Sequence, residues 1–314
     1  MVKALAILAA AAALGPVQLP GARAVKACAA AGPYWPTMTL AIAGRSAWVA
    51  CKEQSRLVRI DTATGRTVAS VRLGTPPIAV VSGLGSVWAL DSSGTLSRIN
   101  RESAKVVKRL SLGLVAPYNL WIGGGSVWAA DDQGASVVRV APARNRVVAR
   151  IPVGDGPADM AFDGGSGWVV NHRDKVLSRI DLRTNRSQRV TVLPGDAPER
   201  MVWSGGRLWI TGRGTDLLKV DPADGSVEQT IEIGAGGIDV VANGDALWVP
   251  TRSAAVDQTG FPTMDALKRV STATGAVSVV TEPDARLDVH GLVAAGGAVW
   301  LADNTGGYLY RVAA

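Results

Sequence analysis

Apolar and polar positions along this chain fall into short runs, and the runs recur. Between Leu112 and Val153 the order is "YNLWIG", a glycine turn, "SVWAAD", a turn at "DQGA", "SVVRVA", a turn at "PARN", and "RVVARIPVG". Each run is rich in Val, Ile, Ala or Trp and is bounded by Gly, Asn, Asp or Pro, the composition of strands separated by tight turns. None reaches the length of a helix. The segment therefore predicts four antiparallel strands joined by short loops.

The same unit is written seven times. Trp48, Trp88, Trp128, Trp168, Trp209, Trp248 and Trp300 mark it, at spacings of 40, 40, 40, 41, 39 and 52 residues. A glycine stands three or four residues before each tryptophan, where a hairpin between the first two strands needs positive φ. The turn between the third and fourth strands recurs as "DTATG", "DLRTN", "DPADG" and "STATG". Seven four-stranded units at this period predict an all-β, seven-bladed β-propeller, with each tryptophan wedged between neighbouring blades.

The ends of the chain bear on closure. The last unit holds only three strands, and an extra segment, "VKACAAAG", precedes the first. The economical expectation is that this segment supplies the outer strand of the last blade and closes the ring, since a closed ring leaves no broken seam. Cys28, in the closing strand, and Cys51, in blade one, are expected to form one disulfide across that seam.

Upstream, Lys3, the apolar stretch Leu5 to Leu14 and the small-x-small triplet Ala22-Arg23-Ala24 read as a secretory signal cut near Ala24. Residues 1–24 are then the signal and 25–314 a single propeller domain, secreted or periplasmic, with no transmembrane segment and acting as a monomer. The net charge of +7 brings no nucleic-acid motif with it. Its arginines are spread once per repeat, so nucleic acid is not an expected partner.

Propeller connectivity places the start of strand one and the end of strand two at one mouth of the central channel. Candidate ligand contacts there are Tyr118, Asn119, Asp159, Glu199, Arg200 and Asp239 from strand one, with Asp91 and Asp131 from strand two. These positions differ from blade to blade, as an asymmetric ligand requires. By contrast Arg59, Arg98, Arg139, Arg179, Lys219, Arg269 and Arg311 occupy one third-strand position in every blade, which points to scaffold. The long spacing before Trp300 comes from an insertion over residues 251–268, expected as a loop on the mouth face, either a lid or a surface excursion.

The pattern P-x-x-[MLI]-x-x-x-G-G-x-[VL]-W-[VAL]-x-[DN]…[LV]-x-R-[IV]-[DA] resembles the repeats of streptogramin (virginiamycin B) lyases and of the related YncE-like propellers over about residues 37–314. In the lyases, the resemblance implies a catalytic histidine at the start of a first strand, an acid two residues earlier, a glutamate three residues after the next tryptophan, a second histidine in a neighbouring blade, and Mg²⁺. His290, Asp288 and Asp303 match the first three, with both acids being aspartates. Ile238 stands where the second histidine would be. Two functions follow as expectations. One is binding of a small molecule, metal ion or partner protein at the mouth, with no cofactor required. The other is a Mg²⁺-assisted carbon–oxygen lyase acting by β-elimination, with His290 as the base. His172, in the "NHRDK" turn, reads as a solvated loop residue.

Overall fold

A computed structural model of the chain describes residues 19–29, 39–234, 236–256, 262–283, 287–304 and 306–314. Strands group into seven four-stranded antiparallel sheets, and in six of them sequence order is also spatial order. Blade three shows the plan: Pro117–Gly123, Ser126–Asp131, Ser136–Ala141 and Arg146–Pro152 lie side by side. The first strand of each blade lies against the first strands of both neighbours, and that of blade seven against that of blade one. Strand one is therefore innermost and strand four outermost. The chain is a seven-bladed β-propeller.

Burial follows that radial order. Second strands such as Ser126–Asp131 and Ser166–Asn171 are buried at every position, whereas fourth strands are largely exposed. Each tryptophan lies in the hydrophobic cluster of the next blade. Trp128 joins Met160, Val169 and Ile180 of blade four, Trp168 joins Met201, Leu208 and Ile210 of blade five, and Trp300 joins Leu40, Ala47 and Val49 of blade one. A ring held by such wedges gains about 3–5 kcal/mol from each large aromatic, the usual cost of truncating one in a core.

Local chemistry explains the turns. Gly124 and Gly125, between strands one and two of blade three, have φ of 53° and 67°, the paired positive values of a type I′ hairpin. In the turn between strands three and four, Asp61 Oδ1 accepts the N–H groups of Ala63 and Thr64, and Asp181 Oδ1 those of Arg183 and Thr184. This is the reason for the recurring Asp-x-x-Thr wording.

The ring closes through its N-terminus. Ala22–Lys26 pairs antiparallel with Tyr308–Ala313 as the fourth strand of blade seven. One detail differs from the sequence expectation. Cys28 lies two residues beyond the closing strand rather than within it, because pairing ends at Lys26. The boundary expected at Ala24 falls inside this strand, whose register runs from Ala22 opposite Val312, while Leu19 is already buried at 4% exposure. Cys28 and Cys51 are disulfide-bonded, with Cα atoms 5.5 Å apart, and tie the closing segment to blade one.

The described residues of the insertion form strands rather than a loop. The extra residues lengthen strands two and three of blade six into Ala246–Val256 and Pro262–Ser271, with pairing continued to Val256 opposite Pro262. Thr263, Met264, Ala266 and Leu267 of the lengthened third strand are buried. Among the described residues no helix is long and apolar enough to cross a membrane.

Candidate functional site

The inner strands do not pair evenly. In blades two, three, four, five and seven the ladder between strands one and two slips just after its first pair, at Pro77/Ala79, Pro117/Leu120, Pro157/Asp159, Pro198/Arg200 and Val289/Gly291. The residues passed over are Ile78, Tyr118 with Asn119, Ala158, Glu199 and His290. A bulge of this kind frees a side chain from strict in–out alternation and re-aims it. It recurs at the channel mouth, at the varied ring.

The structure gathers one arc of that ring into a charged network. Asp159, 8% exposed, accepts three hydrogen bonds from three blades: Trp121 Nε1 of blade three at 2.6 Å, Met160 N of its own strand at 2.7 Å, and Met201 N of blade five at 2.8 Å. Burial raises the Asp159 carboxyl above the ordinary aspartate value, against the opposing pull of Arg200 and of these donors. Arg200 sits in the field of groups from four successive blades. Burial alone would lower its basicity, but Tyr118, Asp239, Asp159 and Glu199 together hold it firmly protonated.

Glu199 forms the other half of the network. Its Oε1 accepts from Arg213 Nε and its Oε2 from Arg252 Nη2, both at 2.7 Å. Burial would raise this carboxyl, yet Arg252, Arg200 and Arg213 more than offset it and hold it below the usual glutamate value. Asn119 and Asp239 each accept the N–H of the following residue at 2.8 Å, which fixes their side chains locally. Tyr118 remains 40% exposed, an accessible aromatic beside the charged arc.

Asp91, Asp131 and Asp303 are engaged with neighbouring loops. All are at most 4% exposed and fasten loops. Asp91 Oδ1 accepts Ser93 N and Thr95 N, Asp131 Oδ1 accepts Val115 N and Ala116 N, and Asp303 Oδ2 accepts Gly306 N. Asp288 is 3% exposed, and its Oδ2 accepts Asn304 Nδ2 at 3.2 Å. His290 belongs to the strand Val289–Ala295, but its side chain lies outside the described residues. His172 Nδ1 is 2.9 Å from Gly156 O, beside an Arg173 that bridges Asp132 and Asp155 between blades three and four.

Sequence reasoning missed Trp121, Arg213 and Arg252. The last two share a repeat position, four residues after their tryptophans, as do Asp132 and His172. The third residue is the last of strand two in blades three to five, whereas Asp132, His172 and Arg213 lie just past the strand end, in the loop that follows. The variation at the fourth position, from Lys52 through Asp132 and His172 to Arg213, was the available signal.

Mg²⁺ takes several oxygen ligands in near-octahedral order. Among the described residues no group of three or more His, Cys, Asp or Glu is placed to hold a metal ion. Asp288 and Asp303 already serve Asn304 and the Gly306 N–H. These carboxylates do not fit the ion that the lyase resemblance implies.

A propeller with a bulged, charged mouth thus defines the class of protein, and the solved structures similar to it sharpen the fold. Virginiamycin B lyase from Staphylococcus aureus superposes with a TM-score of 0.77 at 14% identity, covering 93% of this chain and 99% of that one. A streptogramin B lyase structure gives 0.74 at 14%, covering 92% and 97%. A catalytically inactive histidine-to-alanine variant of the Staphylococcus aureus enzyme with quinupristin gives 0.76 at 13%, covering 93% and 99%. A chain of the mitotic checkpoint complex, 13% identical with 96% of each chain covered, reaches 0.77. No family model matches the sequence, nor does any curated protein. The fold is that of the streptogramin lyases, and at these identities the likeness concerns the fold.

Proposed function

We propose that this chain is an exported propeller that binds a polar small molecule or a protein segment at the channel mouth, over the arc from blade three to blade six. The observation carrying this reading is Arg200, set among Tyr118, Asp159, Glu199 and Asp239 from four successive blades. Guanidinium and carboxylate groups supported by hydrogen bonds, with an exposed tyrosine beside them, suit a ligand bearing hydroxyl, amide or charged groups. Arg213, 67% exposed along its side chain, and the hydroxyl of Tyr118 are the groups that meet it first.

Binding is favoured over β-elimination because Asp303 and Asp288, the acids that would assist His290, are buried and engaged. Export is supported by the apolar start of the sequence and by the disulfide, which persists in oxidising compartments. N-terminal sequencing of the secreted chain reads the processing site. A start at or before Leu19 keeps the whole closing strand, whereas a start at Val25 keeps two of its five residues.

Thermal melting against a panel of oligosaccharides, short peptides and cyclic depsipeptides tests the reading. A ligand that raises the melting temperature of the protein is expected to lose at least tenfold in affinity with Tyr118→Ala and with Arg200→Met, the fold being checked by circular dichroism. Ligands that bind equally well to both variants would remove the mouth as the site. Ring opening of a depsipeptide lactone that is lost in His290→Ala would instead establish the lyase.

A further inference from the structure

The uniform ring of third-strand cations has one member unlike the rest. In blades one to four the arginine lies over its own tryptophan and gives its Nε to a serine on strand two. Arg59 bonds Ser46, Arg98 Ser86, Arg139 Ser126 and Arg179 Ser166, all at 2.8 to 2.9 Å. Several also reach carbonyls in the turn of the next blade, as Arg98 does at Pro142 O and Arg139 at Leu182 O. Lys219 and Arg269 pair with Glu228 and Asp245 instead.

Arg311, in blade seven, keeps only the stacking among the described residues, 5.8 Å over Trp300. Ala298 stands where the serine would be. In the blade-one turn that it would reach, Arg23 of the closing strand donates to Ala63 O at 3.0 Å and Thr64 O at 3.2 Å. Arg23 and Arg311 both line a cavity of about 600 Å³ between blades seven and one. Its other walls include Gly44 and Gly296 in the strand one–two turns, so it opens on the face opposite the charged mouth. Among the described residues no carboxylate lines it. The nearby Asp61 is held by Arg45 and by its own turn.

We propose that this seam cavity is a second binding site, for a small organic anion bearing a phosphate or carboxylate group. A half-buried guanidinium with no hydrogen-bond acceptor is an incomplete arrangement, and an oxyanion completes it through paired N–H donors. The volume is that of a small-molecule site. The Trp300 ring on the wall favours an anion attached to an apolar or planar body.

The test is isothermal titration of the full chain with inorganic phosphate and with phenyl phosphate at constant ionic strength. Saturable binding is expected, tighter for phenyl phosphate. Arg311→Gln should weaken it at least tenfold. Ala298→Ser restores the hydroxyl that occupies the arginine in blades one to four, and it should also weaken binding severalfold while folding normally. Arg98→Gln, which alters an occupied arginine, should leave affinity unchanged. Three results would overturn the proposal: no binding to the unaltered chain, affinity indifferent to both Arg311→Gln and Ala298→Ser, or loss of binding in Arg213→Gln, which would place the anion at the opposite mouth.

Discussion

Two rings run round this molecule, and they behave oppositely. The third-strand cations stand at one repeat position, and in four blades of seven they find the same partner, a serine on strand two. Lys219 and Arg269 pair with carboxylates of their own blades. The inner-strand ring varies from blade to blade and meets no common partner. Repetition without variation marks positions that hold neighbouring blades together. Variation within a fixed backbone marks positions released from that duty. The bulges at the start of strand one are the physical reason for the release, since a residue passed over by the ladder is not bound by the pairing rule that governs its neighbours.

This contrast is breakable by experiment. The largest effect belongs to the scaffold: Trp168→Ala removes a side chain with 0% exposure that packs into blade five, and should cost about 4 kcal/mol in denaturant unfolding. Ligand affinity at the mouth should hold wherever the protein remains folded. Next comes Arg139→Met, which gives up bonds to Ser126, Leu182 O and Asn185 while keeping an apolar body over Trp128. A loss of about 2 kcal/mol is expected, the range for hydrogen bonds from a charged group. A loss no larger than that of a surface substitution would show the uniform ring to be ornamental.

The smallest effect is at the mouth, and it depends on pH. Glu199 has its folded value lowered by Arg252, Arg200 and Arg213 against the effect of burial. Its contribution is therefore present above the unfolded value, near 4.5, and is lost as pH falls through the lower folded one. Glu199→Gln should lower stability by about 1 kcal/mol at neutral pH, a figure kept small because Arg213 is mostly solvated. The difference from the parent protein should shrink toward zero in strong acid. A gap that is constant with pH would mean that the carboxylate charge contributes nothing.

Much of this was legible in the residues. The tryptophan period announced seven blades, the missing strand of the last unit announced closure by the N-terminus, and two cysteines announced the disulfide. The placing of Tyr118, Asp159, Glu199, Arg200 and Asp239 near one another also followed from connectivity. The partnership of Glu199 with Arg213 and Arg252 did not, because it joins blade five to a lengthened hairpin of blade six. Nor did the idle position of Arg311, since its difference lies in a neighbour, Ala298, and in Arg23 at the far end of the chain.

Local wording determined what local physics controls. Alternating apolar runs, glycine hairpins and Asp-x-x-Thr turns each act over a few residues, and copying them seven times leaves little choice but a ring of sheets. What the tertiary structure alone decided is which polar groups meet across blades. Those meetings join residues some forty or more positions apart, as between Trp121 and Asp159 or Glu199 and Arg252. They depend on where a bulge turns one side chain and where a neighbouring blade leaves room for it, and no periodicity in the chain encodes that.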